Sequence, residues 1–431
     1  MLPTTGKPVS EIHVFTSAAA NYLPKVRVLF ESIRKHHPDW KLHLLLVEDL
    51  KAEALAQLKV DASVIQLRDL EIPSWRAWAF GHSIVELCTA VKPFMLQRLL
   101  RMPNTRGVLY FDPDIALYSC LDDLLAEFDS HSILLTPHQT TPEIGLESVI
   151  SQEITSLKYG IYNLGFVGVK ADRAGLDFAD WWAKRLYSFC RDDVPNGLFT
   201  DQRWIDLVPA MFDGVRIVRN SRFNVAAWNW TTRQLSESGE DGVSVDGMPL
   251  GFYHFTGIDS GNHDLRLAKF PAHYRVLAGL IGRYRESVLS YERLQTSGLG
   301  KAVFARQNGV ETNGWSFASF DNGRLIEPAW RHCYRDNPEL QAQFSDPWRG
   351  DAQLLAAFEQ QNRNEDSKQG GVGLGFVGTV PVLDQRRLLG LAWSVLRRPR
   401  TLTSLLRQLG KIRRDEGWAG VRRRVSRGPG D

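Results

Sequence analysis

The chain has 431 residues, a formal net charge of +3, 43% hydrophobic residues and 23% charged ones. That length suits one large α/β domain with an extension, or two domains, and the balance is globular rather than disordered or collagen-like. No run of about 18 apolar residues occurs, which argues against a helical membrane span, and the opening Met1-Leu2-Pro3-Thr4 has no apolar signal segment; a cytoplasmic location is expected.

The charge is unevenly spread. Residues 384–431 carry 13 Lys/Arg against 4 Asp/Glu, a local +9, so the body before them is 3 − 9 = −6. Cys88, Cys120, Cys190 and Cys333 are far apart with no C-x-x-C pairing. They are expected to be buried thiols in a reducing compartment, not a disulfide frame or zinc site.

Residues 11–16 read as a first strand with small residues at its exit. A helix over 22–36 follows, with Val26, Leu29, Phe30 and Ile33 on one stripe. Residues 41–47 are nearly continuous in Leu and Val, as in a strand covered on both faces, and end at Glu48-Asp49. A helix near 51–59 and a strand at 63–67 come next. A longer helical region over 75–88 breaks at Lys92-Pro93, where proline suits the first turn of a helix over 94–102. This alternation predicts a mostly parallel, helix-covered sheet, whose ligands bind beyond the carboxyl ends of the strands. Thr16, Asp49 and Asp112 lie at such ends.

The most informative stretch is 107–117. An apolar strand over 107–111 delivers Asp112 and Asp114 at its end. In extended backbone residues i and i+2 share a face, so both carboxylates can converge. Hard oxygen ligands of this kind suit Mg²⁺ or Mn²⁺, which in turn hold a diphosphate. Pro113 removes a backbone donor between them and argues against the middle of a sheet. A solvated turn is the alternative for an isolated pair.

Beyond Asp114 the alternation loosens, and a mixed sheet with antiparallel elements is expected. Strands are read at 132–136, 162–169, 216–219 and 251–255, and helices at 173–189 and 273–291. Asn163 and Gly165 open the strand at 162, where glycine permits close backbone approach and asparagine offers both a donor and an acceptor. Thr200-Asp201-Gln202-Arg203 opens a helix that Thr200 or Asp201 can cap. His254 ends an aromatic strand, where a hydrogen-bonded core histidine is the structural alternative to a ligand. Residues 294–376 read as a small appended subdomain with a linker at 368–375. Residues 377–431 read as a basic amphipathic helical tail. In it Leu402, Leu405, Leu406, Leu409 and Ile412 share one helical face. The tail suits an anionic membrane surface, the catalytic body or a homodimer interface; no recognition motif points to nucleic acid.

Taken in order, Phe111-Asp112-Pro113-Asp114, Asn163-Leu164-Gly165-Phe166-Val167, Asp201-Gln202 and His254-Phe255-Thr256-Gly257 resemble the GT-A glycosyltransferases. The likeness is to the retaining family of glycogenin and the bacterial lipopolysaccharide galactosyl- and glucosyltransferases, and it spans residues 11–259. It implies a GT-A-type, Rossmann-like mixed sheet in a catalytic domain at 1–293. It also implies a metal-dependent transfer from a nucleotide-diphosphate sugar, most simply a UDP-sugar, to a glycan, lipid-linked or protein acceptor in surface polysaccharide or glycoconjugate synthesis. Asp112, Asp114 and His254 would hold Mn²⁺ or Mg²⁺. Thr16, Ser17, Tyr22 and Asp49 would lie near base and ribose with Lys92 close by. Asn163, Gly165 and Gly257 would line the donor, and Asp201 and Gln202 would sit at the reacting carbon.

Two departures stand out. Related enzymes continue the His-x-x-Gly motif with Lys-Pro-Trp, whose lysine meets the leaving phosphates; here Ile258-Asp259-Ser260 follows, leaving Lys269 or Arg266 for that contact. Pro113 also limits the motif to two carboxylates. An Asp-x-Asp phosphotransferase, a sugar-nucleotide pyrophosphorylase and a non-catalytic nucleotide- or sugar-binding module are the rivals. The first usually carries its motif on the first strand, and the second a Gly-rich N-terminal loop absent from 10–23.

Overall fold

The computed structural model describes residues 10–56, 58–238, 242–269, 274–296, 314–315, 317 and 319–369. The chain divides into two compact units at Asn364/Glu365. The basic tail, with Leu402 to Ile412, and residues 370–375 of the expected linker lie outside the described residues, as does the side chain of Lys269.

Seven strands form the central sheet: β1 (Glu11–Ala18), β2 (Lys41–Leu46), β3 (Ser63–Gln66), β4 (Thr105–Phe111), β5 (Ile133–Pro137), β6 (Tyr162–Lys170) and β7 (Val215–Ile217). Their spatial order is β7-β5-β6-β4-β1-β2-β3. All neighbours run parallel except β6, which is antiparallel to both β4 and β5. The mixed sheet flanked by helices that the sequence predicts is therefore present.

Side-chain alternation explains how the sheet is covered. In β4, Val108 and Tyr110 enter the apolar cluster on one face, while Leu109 and Phe111 enter the cluster on the other. In β1, Phe15 joins the first and Ile12 and Val14 the second. The helix Leu23–His36 sends Val26, Leu29, Phe30 and Ile33 into the second cluster, the stripe read from its spacing. The helices Lys92–Leu100 and Arg173–Phe189 cover the first. Period-two burial on both faces removes most of the sheet from water, at roughly 25 cal/mol per Å² of apolar surface.

Several expectations are revised. The helical region at 75–88 is two helices, Trp75–Phe80 and Ile84–Ala90. Ser83 and Glu86 form a reciprocal capping box that starts the second, which periodicity alone does not register. Cys120 is exposed and Cys88 half-buried, where burial was expected, and all four cysteines are free thiols. The appended region is helical, with Pro328–Arg335, Pro338–Gln343 and Ala352–Gln369. Its Phe320, Trp330, Trp348 and Phe358 belong to the same cluster as Phe80 and the first face of the sheet. No helix among the described residues is long and apolar enough to cross a membrane.

Candidate active site

Strand β4 ends at Phe111, and the chain turns through Asp112-Pro113-Asp114 with Ile115 N–H donating to the Asp112 carbonyl at 3.0 Å. It then forms a short strand, Ile115–Leu117, paired antiparallel with Phe252–His254 so that Ile115 faces His254. The next amide, Phe255 N–H, donates to the Asp114 carbonyl at 2.8 Å. This pairing draws a histidine 140 positions downstream onto the acidic turn, since 254 − 114 = 140.

Ligand atoms of Asp112, Asp114 and His254 all lie within 4.8 Å of one another. His254 Nε2 is 3.1 Å from an Asp114 oxygen and 3.7 Å from one of Asp112. On its other side Nδ1 lies 3.2 Å from Asn163 Oδ1, which can only accept, so Nδ1 carries the hydrogen and Nε2 is turned to the carboxylates. Burial pulls the imidazole's pKa down, but Asp114 and Asp112 outweigh it and hold it above its ordinary value. Burial likewise works to raise the Asp114 carboxyl, yet His254 and Lys25 keep it low.

Gly165 makes the histidine's position possible. A Cβ there would lie 2.5 Å from His254 Cε1 and 2.8 Å from Asn163 Oδ1. The Gly165 carbonyl also accepts from Asp112 N–H at 2.8 Å. Glycine is thus required for close approach, as the sequence suggests.

Lys92 supplies the opposing charge. Its side chain is 2% exposed, and Nζ donates to the Leu164 carbonyl at 2.9 Å. It lies 2.9 Å from Asp201 Oδ2, 3.4 Å from Asp112 Oδ1 and 4.2 Å above the Tyr110 ring. Burial alone would neutralise it, but the two carboxylates hold its pKa above the ordinary ammonium value. Tyr110 hydroxyl donates to Asp112 at 2.5 Å and lies 3.3 Å from Ser17 Oγ. Burial lifts the Asp201 carboxyl, with Lys92 pulling the other way.

Asp201 precedes the helix Gln202–Ile205, but neither it nor Thr200 caps that helix through a side chain. The Asp201 carboxylate faces Lys92 and accepts from the Thr200 hydroxyl at 3.1 Å instead. The capping expectation is therefore replaced by an ion pair. Gln202 is held at both ends: Oε1 accepts from Leu164 N–H at 3.1 Å, and Nε2 donates to the Tyr159 carbonyl at 3.0 Å. Asn163 Nδ2 reaches the same oxygen at 3.4 Å.

Tyr22 lies near the turn: burial first, then Asp114, Asp259 and Asp112, push its phenol pKa up. Thr16 is buried at the end of β1 with no partner for Oγ1 within the protein. Gly257 takes φ +74° in the turn after His254, and its carbonyl accepts from Ser260 and His263. Asp49 pairs with Arg68 at 2.8 Å and is not among the residues that converge with Asp112.

Some residues of the site carry no sequence signal. Lys25 pairs with Asp259 at 2.5 Å and sits 4.4 Å from the Tyr22 ring centre. Trp228 sets its ring edge-on to His254, with centroids 5.2 Å apart. His138 approaches Asn163 at 3.4 Å. Arg266, by contrast, is one of the two cations the sequence offers for the phosphate contact; it is half-buried and lies 3.3 Å from the Gln152 carboxamide.

A second ligand-like cluster, His37, Cys120 and Asp122, is chemically different. His37 Nε2 accepts from Leu121 N–H at 2.9 Å, which puts the hydrogen on Nδ1, facing Asp122. A protonated nitrogen offers no lone pair to a metal. Of the two clusters found among the described residues, the Asp112 group is the one whose histidine turns a nitrogen free of backbone hydrogen bonds toward its carboxylates.

No protein-family model matches the sequence. Over 251 residues, 56% of this chain and 82% of the relative, it is 28% identical to the uncharacterized protein YfnF of Bacillus subtilis (strain 168). Over 258 residues, 58% of this chain and 78% of the relative, it is 25% identical to the uncharacterized protein YfnD of the same organism. Among solved structures it is similar to the galactosyltransferase LgtC in complex with donor and acceptor sugar analogues, at 17% identity and TM-score 0.36 over 65% of this chain and 95% of that one. Mouse xyloside xylosyltransferase 1 in its apo form is similar at 12% identity and TM-score 0.35, over 57% of this chain and 96% of that one.

Proposed function

We propose that this chain is a metal-dependent glycosyltransferase of GT-A type, taking a nucleotide-diphosphate sugar, most simply a UDP-sugar, as donor. The observation that carries the reading is the convergence of Asp112, Asp114 and His254 Nε2 within 4.8 Å, beyond the carboxyl end of a central strand. Two carboxylate oxygens with one imidazole suit Mn²⁺ or Mg²⁺, and the tautomer set by Asn163 leaves the right nitrogen available. Such an ion would offset the charge that develops on the departing diphosphate.

The chain's own residues then divide the remaining work. Lys92, fixed between Asp112 and Asp201, places one cation between the two acidic groups. Asp201 and Gln202 are our candidates for the wall beside the anomeric carbon, where a fixed carboxylate and amide suit oxocarbenium character. Gln202 is locked by Leu164 and Tyr159, so its contribution is position rather than mobility. We assign Thr16, whose buried hydroxyl has no partner within the protein, together with Ser17, Tyr22 and Asp49, to the nucleoside end. Asn163, Gly165 and Gly257 line the sugar side. Arg266 is the described candidate for the phosphate contact that Lys-Pro-Trp makes in the resembling family. Retention of anomeric configuration, a glycan or lipid-linked acceptor, a role in surface polysaccharide synthesis and membrane approach through residues 377–431 belong to the same proposal. So do the domain limits 1–293, 294–376 and 377–431.

Titration calorimetry with UDP, with and without Mn²⁺, followed by a donor-hydrolysis assay, tests this. Metal-dependent binding with turnover is expected. Binding without turnover would favour a carbohydrate- or nucleotide-binding module on the same fold. No nucleotide binding at all would count against both.

A further inference from the structure

Between β5 and β6 three helical segments run without a break: Leu146–Ser148, a π turn at Val149–Glu153, and Ile154–Tyr159. Their polarity is reversed for a surface helix. The buried residues are Ser148 and Gln152, whereas the large aliphatic side chains point outward. Leu146 is 77% and Leu157 68% exposed, and Ile150 and Ile154 are about half exposed. Ile144 and Ile161 extend the row at either end, fully and nearly half exposed.

The spacing 146, 150, 154, 157 keeps these residues on one helical stripe, and Ile161 follows beyond the break at Gly160, where φ is +130°. Steps of four drift forward on an α-helix, and the wider π turn between Ile150 and Ile154 cancels part of that drift. A continuous aliphatic row of this length on a soluble face marks an interaction surface.

We infer that this stripe is an isologous contact with a second copy of the chain. Its pattern is close to palindromic. A two-fold axis crossing the helix near Ser151 and Gln152 sets Leu146 beside Leu157 of the second copy and Ile150 beside its Ile154. The same axis brings Ile144 to Ile161 and the exposed carboxylate of Glu147 opposite the exposed ammonium of Lys158, twice over. Self-complementarity in both apolar contacts and charge is what a two-fold interface demands. An anionic lipid surface fits less well, because Glu143, Glu147 and Glu153 outnumber Lys158 along this segment. The helix ends at the active-site wall, where the Tyr159 carbonyl receives Gln202, so pairing would also brace that wall.

Sedimentation velocity on the full chain over a wide concentration range tests the contact. A concentration-dependent dimer is expected, with Ile154→Asp and, separately, Leu157→Lys raising its Kd roughly tenfold or more. Both sites are exposed, and unchanged far-UV circular dichroism checks that they fold. Glu147→Lys and Lys158→Glu should each weaken the dimer, and the double variant should restore it. A chain that stays monomeric, or a dimer indifferent to both stripe variants, overturns the inference. So does a monomer that binds vesicles and releases them on Ile154→Asp, which would give the stripe to lipid.

Discussion

His254 shows how much one side chain's surroundings decide. In the sequence it is one aromatic-flanked histidine among 11. In the fold, Asn163 holds its Nδ1 side, Gly165 makes room for it and Asp114 raises its pKa. Asp114→Ala should therefore abolish donor hydrolysis and Mn²⁺ binding while the chain still melts cooperatively, because the carboxylate supports polar contacts rather than core. An active variant in the presence of metal would refute the ligand assignment. Gly165→Ala is a subtler probe. The new methyl meets the imidazole at 2.5 Å, so His254 must move, and Mn²⁺ affinity read by electron paramagnetic resonance should fall at least about tenfold. Unchanged affinity would show that His254 does not hold the ion. Gln202→Ala should lower kcat more than it weakens nucleotide binding. It should also cost about 1–3 kcal/mol of stability, because it strips an acceptor from buried Leu164 N–H and a donor from the Tyr159 carbonyl. Equal losses in turnover and nucleotide affinity would place Gln202 away from the sugar.

Among the elements, the helices after residue 327 are the least expected. Trp348 packs edge-on against Phe80, with centroids 5.1 Å apart, and its indole N–H donates to the Arg76 carbonyl at 2.6 Å. Arg331 stacks on Phe317, Phe80 and Trp348 and donates to the carbonyls of Phe80 and His82. These contacts tie the late segment to the helices Trp75–Phe80 and Ile84–Ala90, and Ile84–Ala90 leads directly to Lys92. Trp348→Ala should destabilise the protein by about 3–5 kcal/mol, measured by urea denaturation. A loss under about 1 kcal/mol would mean that this core is not continuous with the sheet's.

For the molecule as a whole, buried histidines set the acid limit of stability. Burial lowers His43 and His82 to about 4 from the ordinary 6.5. Between pH 6.5 and 4 the unfolded chain binds protons at these positions and the native chain does not. Unfolding free energy must then fall as pH falls through that window, by up to about 1.4 kcal/mol per pH unit for each histidine. The depressed carboxyls of Glu86 and Asp114 extend the loss to lower pH. Denaturation melts at stepped pH check this; a flat profile from pH 7 to 4.5 would contradict the burial of these rings.

The sequence by itself determined the main strands of the first half, the helix over 23–36, the acidic pair at the end of β4 and the glycine at 165. These rest on local regularities: period-two and period-3.6 burial, a proline in a first turn, small residues where backbones approach. Only the tertiary structure decided that Asp201 answers Lys92 rather than capping its helix, that Lys25, Tyr110 and Trp228 surround the site, and that residues 317–358 complete the core. Those facts depend on contacts between residues tens to hundreds of positions apart. No local pattern encodes them, because a side chain's partner is chosen by how sheet and helices pack, not by its neighbours along the chain.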